Sequence, residues 1–412
     1  MTVFLDDAPA WVAAGAAAPH PAAAREALIP GHDEMLERAD ALVPQLRERA
    51  EETERLRRIP DATMDELHAA GIFRIPAPAS LGGYGMGLAT YADIVRRLAR
   101  GCASTAWNAG HLMEHVWMLT RWPHSVQDEV FADGPAPLAA ATAAPVGSAE
   151  DVPGGYLITG QWSFASGVLH SRWALLAVEH NGARLQCLVP ITEVAVVDTW
   201  HTAGLRGTGS NDIHAERLFV PARRAVPWTL LASPDNPGSR IHSNPLVSAP
   251  LGTLLNVVAP SVALGAAEHA LELFREQMLK RKVKNTVQSR QADSPLAQAR
   301  YSQAYGLVAT ARLHWAEAVR LAADSSRRPD PMTEQDRARY RLSLALSGEA
   351  SAHAVNLVMA ASGGSAHRLS HPLQRIHRDV AVLLNHPTLA TDPILEQAGR
   401  GLLGLGLTVA SF

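Results

Sequence analysis

The sequence predicts a mainly α-helical fold with a central β-domain. Three observations carry that expectation: amphipathic helical periodicity through the first third, short β-rich runs beginning at Pro135, and long helical segments after about Pro250. The domain boundaries follow from these changes of texture. Residues 1–30 read as a disordered or loosely packed arm, 31–134 as a helical N-terminal domain, 135–230 as the β-domain, 231–250 as a connector and 251–412 as a C-terminal four-helix bundle.

Each element has a local reason. Apolar residues recur at Leu36, Ala39, Leu42, Leu46 and Ala50 with charges between them, the spacing of one buried helix face over 35–57. Pro60 suits the start of a second helix, because a proline in the first turn gives up no intrahelical bond, and Gly71 suits its end. The glycine-rich loop 81–87 feeds a third helix over 89–100, and a fourth runs over 105–119. Residues 156–164, 173–178, 185–189, 194–197 and 213–220 are rich in β-formers and separated by Gly, Pro and Asn turns, which predicts a compact antiparallel sheet. Helical periodicity then returns over roughly 251–284, 296–326, 333–361 and 372–402, the count of an up-and-down bundle.

Composition narrows the function. A 412-residue chain that is 47% hydrophobic and 19% charged can bury a large core, and a formal charge of -3 gives no basic field for nucleic acid. Cys102 and Cys187 are too few for a disulfide framework or a four-thiolate zinc site, which suits a reducing, cytoplasmic setting. Nowhere do about 18 uncharged apolar residues run together, and the N-terminal arm opens with Asp6 and Asp7 rather than a basic cluster. The expectation is a soluble protein with no membrane span and no signal peptide. No Gly-x-Gly-x-x-Gly follows a strand into a helix, so there is no nicotinamide site, and any flavin must be reduced by another protein.

Two loops could seat a flat heterocycle. Gly160-Gln-Trp-Ser-Phe-Ala-Ser-Gly167 ends a strand with small residues and a hydroxyl beside an aromatic, and Gly204-Leu-Arg-Gly-Thr-Gly-Ser-Asn-Asp212 offers backbone donors and Ser210. Each alone is also an ordinary turn sequence. With Leu81-Gly-Gly-Tyr-Gly-Met-Gly87, Ser104-Thr-Ala-Trp107 and Pro372-Leu-Gln-Arg-Ile-His-Arg-Asp379, in this order, they give a chain that resembles the acyl-CoA dehydrogenase fold over about 35–405. More narrowly, it resembles the oxygenase components of two-component, group D flavin-dependent monooxygenases.

The resemblance implies site residues. Phe164, Ala165 and Ser166 match the stretch whose hydroxyl meets flavin N5, and Thr142 matches a flavin-contacting threonine on an earlier strand. Ala141 stands where a phenol hydroxylase would carry a substrate-binding serine. Arg281 matches an arginine that binds the flavin phosphate of a neighbouring subunit; the phenylalanine and glycine that usually follow are replaced by Val283-Lys284-Asn285. That departure favours FMN over FAD as the reduced cofactor, and a helix end carrying cations is the alternative reading of the same residues. Gly363 and Gly364 form a Gly-Gly turn that adds to the cofactor set.

Position 386 separates two branches of the family. Acyl-CoA dehydrogenases keep a glutamate there to remove an α-proton, whereas this chain has Asn385-His386-Pro387-Thr388. An imidazole near its ordinary pKa of about 6.5 can deprotonate or hydrogen-bond a phenol. His115 matches an active-site histidine of the hydroxylases, and Trp107, His111, Ala141 and Asn385 complete a substrate set. His111-Leu-Met-Glu-His115 also matches the His-x-x-Glu-His pattern of inverted zinc peptidases; no metal site is the expectation here.

The function implied is hydroxylation of an aromatic, phenolic or polycyclic quinone of aromatic-polyketide type, through a C4a-hydroperoxide formed from O2 and reduced flavin. A separate NAD(P)H-flavin reductase supplies the flavin, and the assembly is a homotetramer or homodimer. Trp117, Met113 and Met118 would join Trp107 in lining a roomy apolar pocket. A dehydrogenase-like flavin oxidoreductase, an N-oxygenase of the same fold and a zinc peptidase remain as alternatives.

Overall fold

The computed structural model describes residues 29–282, 290–327 and 332–409. The N-terminal arm and Val283, Lys284 and Asn285 therefore lie outside the described residues. The first domain holds α1 (His32–Glu48), α2 (Ala50–Leu56), α3 (Asp61–Ala69), α4 (Leu88–Ala99), α5 (Ala103–Leu119) and α6 (His124–Val130). The helix expected over 35–57 breaks at Arg49, and α6 was not expected. In α5 nearly every side chain is buried, from Ala103 to Leu119 with His111 the most open, so it is the central post of the domain.

The β-domain comprises β1 (Ala139–Val152), β2 (Gly155–Ala165), β3 (Trp173–His180), β4 (Ala183–Pro190), β5 (Ala195–Val197), β6 (Asn211–Pro221) and β7 (Ala225–Pro227). They form one sheet in the order β5-β6-β2-β1-β3-β4-β7. The expected antiparallel pairing holds except between β1 and β3, which run parallel with Ala141 opposite Leu175 and Thr142 opposite Leu176. A break in that register between Thr142 and Gly147 ends regular pairing just after Thr142.

After α7 (Trp228–Ala232) buried side chains near the end of α5 hold the connector down. Arg121, fully buried at the end of α5, donates to the carbonyls of Leu231, Ser233, Val247 and Ala249 at 2.6–2.9 Å and lies 4.9 Å over the Trp117 ring. Burial lowers its pKa to about 10. Trp117 also donates to the Leu246 carbonyl, and Met113 and Met118 are buried in the same core. All three are buried in the domain core together with Trp107, and a step of ten residues along α5 turns Trp117 by about 80° from the face that carries Trp107.

The bundle holds α8 (Leu251–Leu255), α9 (Val258–Lys280), α10 (Pro295–Ser326), α11 (Glu334–Ser362), α12 (Pro372–Leu383) and α13 (Thr391–Leu402). The single fourth helix expected over 372–402 is two short ones, because Pro387 cannot continue α12 and the chain turns at Asn385–His386. The segment 251–280 is long and apolar enough to cross a membrane, but 83% of its most apolar stretch is buried inside the fold, as expected of a bundle core.

One motif ties the bundle to the β-domain. Asp379 on α12 accepts the Leu205 N–H at 2.6 Å, and Arg378 bonds the Ala203 carbonyl and Glu54, both at 2.5 Å. The backbones meet so closely that a Cβ on Gly204 would lie 2.2 Å from the Arg378 carbonyl oxygen, so only glycine fits. The 204–210 loop is thereby set from the bundle side.

Candidate active site

A chain of hydroxyls runs from that loop to α5. Thr208 Oγ1 donates to the Leu205 carbonyl at 2.9 Å; Ser210 and Thr208 are 2.7 Å apart, Ser166 and Ser210 2.8 Å, and Trp107 Nε1 donates to Ser166 Oγ at 2.9 Å. A carbonyl can only accept, so Thr208 spends its proton there; Ser210 must then donate to Thr208, and Ser166 to Ser210. The whole chain is polarised. Ser166 keeps one acceptor lone pair and has no proton left to offer.

Around it lie the other expected cofactor residues. Ala165 is buried and paired with Asn211, Thr142 is buried on the neighbouring strand, and its Oγ1 has no hydrogen-bond partner among the described residues. Phe164 is 67% exposed with φ 64°, a left-handed conformation that costs a non-glycine residue of order 1 kcal/mol, and its ring meets Trp200 edge-on. An orphan buried hydroxyl, an acceptor-only serine and an exposed aromatic on a strained strand end fit the rim and face of a flat heterocycle. Arg281, Gly363 and Gly364 form a separate cluster: Arg281 donates to the Ser362 carbonyl at 3.0 Å and stands against Gly363, whose φ is 74°. Among the described residues no hydrogen bond joins this cluster to Ser166. Its cation and glycine turn suit phosphates.

The imidazoles gather beside the Trp107 ring. Its ring is 4.3 Å from His111 and 5.1 Å from His386, both edge-on, and His111 lies 6.5 Å from His386 and 5.9 Å from His115. His115 Nδ1 donates to the Ala139 carbonyl at 2.7 Å, which leaves Nε2 without a proton in the neutral ring. His386 Nδ1 accepts the Thr388 N–H at 3.3 Å, so its proton is on Nε2. Burial, helped by His111 and Arg341, pushes His386 down to about 3, not the ordinary value expected from sequence. At neutral pH it is a hydrogen-bond donor, not an imidazolium. Burial likewise takes His111 to about 3 and His115 to about 4.

Two expected substrate residues are placed less closely. Ala141 is half-buried on β1, two residues from the carbonyl that holds His115. Asn385 is exposed and donates back to the Ala381 carbonyl at 2.9 Å, away from His386's own bonds. The zinc pattern fares worse. His111, Glu114 and His115 do bring ligand atoms within 4.8 Å of one another. However, His111 Nδ1 and Glu114 Oε1 are 2.5 Å apart, whereas two ligands of one tetrahedral zinc stand about 3.3 Å apart. That pair is bonded to itself. Sequence reasoning passed over Tyr91, Thr208 and Asp379; the last two stand inside motifs already singled out, but Tyr91 carries no local signal.

Comparison with known proteins agrees with this geometry. Residues 257–390 match the C-terminal domain family of acyl-CoA dehydrogenases and residues 30–131 the N-terminal domain family. The chain is 36% identical to a pigment production hydroxylase of Rhodococcus sp., over 90% of its own length and 97% of that protein. It is 31% identical to the oxygenase component of an FADH2-dependent resorcinol hydroxylase of Rhizobium sp., over 91% and 95%. The crystal structure of 3-HSA hydroxylase from Rhodococcus sp. RHA1 superposes with a TM-score of 0.87 at 29% identity, over 93% of this chain and 100% of that one. The chain belongs to the acyl-CoA dehydrogenase superfamily and, within it, to the oxygenase components of two-component flavin-dependent monooxygenases.

Proposed function

We propose that this protein hydroxylates an electron-rich aromatic, a phenol or a polycyclic quinone of the kind found among polyketide antibiotics, using O2 and reduced flavin from a separate NAD(P)H-dependent reductase. The observation that carries this reading is the meeting at Trp107 of an acceptor-only hydroxyl with neutral imidazoles, of which His386 offers an N–H. Reduced flavin supplies the electrons that activate O2. Ser166 suits the reduced ring, which carries a hydrogen on N5, better than the oxidised ring, which offers a lone pair there. Thr142 and the 164–166 backbone would hold the ring, and Arg281 with Gly363 and Gly364 its phosphates. Of the two flavins expected, FADH2 is the form named for the resorcinol relative, and we take it as the cofactor.

His386 and His111 both lie against the Trp107 ring and would hold an oxygen of the substrate; two hydrogen bonds of about 2.9 Å can bridge rings 6.5 Å apart. His115, fixed by Ala139, offers an acceptor nearby. Burial of Trp107 and its neighbours keeps water from the reacting atoms. We further propose a cytoplasmic homotetramer or homodimer joined through the bundles, a reading supported by the free, buried Cys102 and Cys187 and by exposed Leu296, Tyr305 and Leu313 on α10. Light scattering after gel filtration tests the oligomer.

The test of function is to load the protein anaerobically with FADH2, mix it with O2 and a panel of phenols and quinones that includes resorcinol, and measure product per O2. Hydroxylated product should account for most of the O2 with at least one member. Quantitative return of O2 as hydrogen peroxide with every member overturns the reading.

A further inference from the structure

Leu205 stands at a junction. Its backbone is left-handed, with φ 51° and ψ 30°, a region that a leucine keeps only when its neighbours hold it there. It is held at both ends. Its N–H donates to Asp379 Oδ1 on α12 at 2.6 Å, and its carbonyl accepts from Thr208 N at 3.1 Å and from Thr208 Oγ1 and Trp200 Nε1, both at 2.9 Å. Thr208 Oγ1 begins the hydroxyl chain that ends at Ser166, and the Trp200 ring meets Phe164 edge-on. One backbone residue is thus tied to both ends of the 164–166 stretch.

The rest of the loop has its own supports. Asn108 on α5 donates to the Thr208 carbonyl at 3.0 Å, and a Cβ on Gly207 would lie 2.4 Å from Thr53 Cγ2 on α2. These contacts hold 207 and 208 without help from α12. What Asp379 supplies is the acceptor for the Leu205 N–H, which has no other among the described residues. Without it a buried amide is left unmet, and the strained leucine can relax and turn its carbonyl from Thr208.

We propose that Asp379 is a positioning residue for the flavin: by fixing Leu205 it directs the hydroxyl chain toward the Leu205 carbonyl, keeps Ser166 a hydrogen-bond acceptor and makes the site select reduced over oxidised flavin. The proposal rests on the flavin reading above and concerns binding, not hydroxylation. Direction decides the outcome. With the carbonyl in reach, Thr208 donates to it, Ser210 to Thr208 and Ser166 to Ser210, so Ser166 offers only a lone pair. That lone pair matches the N5–H of reduced flavin and opposes the N5 lone pair of the oxidised ring. Once the carbonyl turns away, the same three hydroxyls can also donate in the opposite order, and Ser166 then has a proton for the oxidised ring. A buried carboxyl accepts this N–H whether or not it is ionised, so an asparagine at 379 should serve as well.

Anaerobic titration with FADH2 and separate titration with FAD give the ratio of the two dissociation constants. Asp379→Ala should lower the wild-type preference for the reduced form by about threefold or more, whereas Asp379→Asn should keep it within about twofold. Thr208→Val leaves the Asp379–Leu205 bond in place and should lower the preference as much, and the double variant Asp379→Ala/Thr208→Val no further than either alone. In the flavin-free protein, exchange of the Leu205 amide hydrogen should quicken about tenfold or more in Asp379→Ala and stay slow in Asp379→Asn and Thr208→Val. An unchanged preference in folded Asp379→Ala, a loss in Asp379→Asn, or effects that multiply in the double variant overturns the proposal. Should Asp379→Ala not fold, an unchanged preference in Thr208→Val overturns it. Preferences as expected with no hydroxylated product would instead count against the hydroxylase reading alone.

Discussion

The two groups of side chains that meet at Trp107, hydroxyls and imidazoles, differ in how completely their hydrogen bonds are met. On the hydroxyl side, Trp107, Ser166, Ser210, Thr208 and Leu205 form a directed chain in which every proton has a destination. On the imidazole side, His111, His115 and His386 are neutral by burial, and at least one ring nitrogen, His111 Nε2, has nowhere to go. A satisfied network is rigid and presents a fixed polarity; an unsatisfied one is poised for a ligand. In this account the first holds reduced flavin and the second holds the molecule to be oxidised.

Substitutions can break that division in order of size. His386→Ala removes a donor to the substrate and should cut hydroxylated product per O2 by about tenfold or more, the rest appearing as hydrogen peroxide, which product and peroxide assays follow together. Ser166→Ala removes the acceptor and strands Trp107 Nε1; loss of about 1 kcal/mol should weaken reduced-FAD binding by roughly fivefold to tenfold in anaerobic titration. Ser210→Ala is subtler. It frees the Ser166 proton, so Ser166 can donate to oxidised flavin, and the preference for reduced over oxidised FAD should shrink by about threefold.

The smallest effect concerns pH. An unfolded chain protonates its histidines near pH 6.5, whereas folded His386 takes a proton only near 3, so the stability that this group confers is complete above about 6.5 and is lost as pH falls toward 3. His386→Ala should therefore be less destabilising at pH 5.5 than at pH 7.5, by up to about 1.4 kcal/mol, read from urea midpoints at the two values.

Much of this was legible in the sequence, and what was not has physical causes. Helix periodicity and β-rich runs placed α1, α4, α5 and most strands because those signals are local. β1 was expected through the family resemblance alone, by way of Thr142, because an Ala-rich stretch interrupted by Pro145 has little β-propensity; it is a strand because β2 and β3 pair with it. The break at Pro387 was written in the chain, but the continuing apolar periodicity outweighed it. Ser166, Trp107, His111 and His386 were named in advance, and the fold brings them together; the tautomers and depressed pKa values were not foreseen, since burial belongs to the tertiary structure. Asp379 bonds Leu205 across 174 residues, and Tyr91 reaches Glu114 from another helix, contacts that no motif spacing encodes.

The division of labour is tested most directly by titrating reduced FAD anaerobically into His386→Ala. The expected dissociation constant is within about twofold of wild type, because the hydroxyl chain is untouched. A tenfold loss of flavin affinity would contradict it and make His386 part of the flavin site.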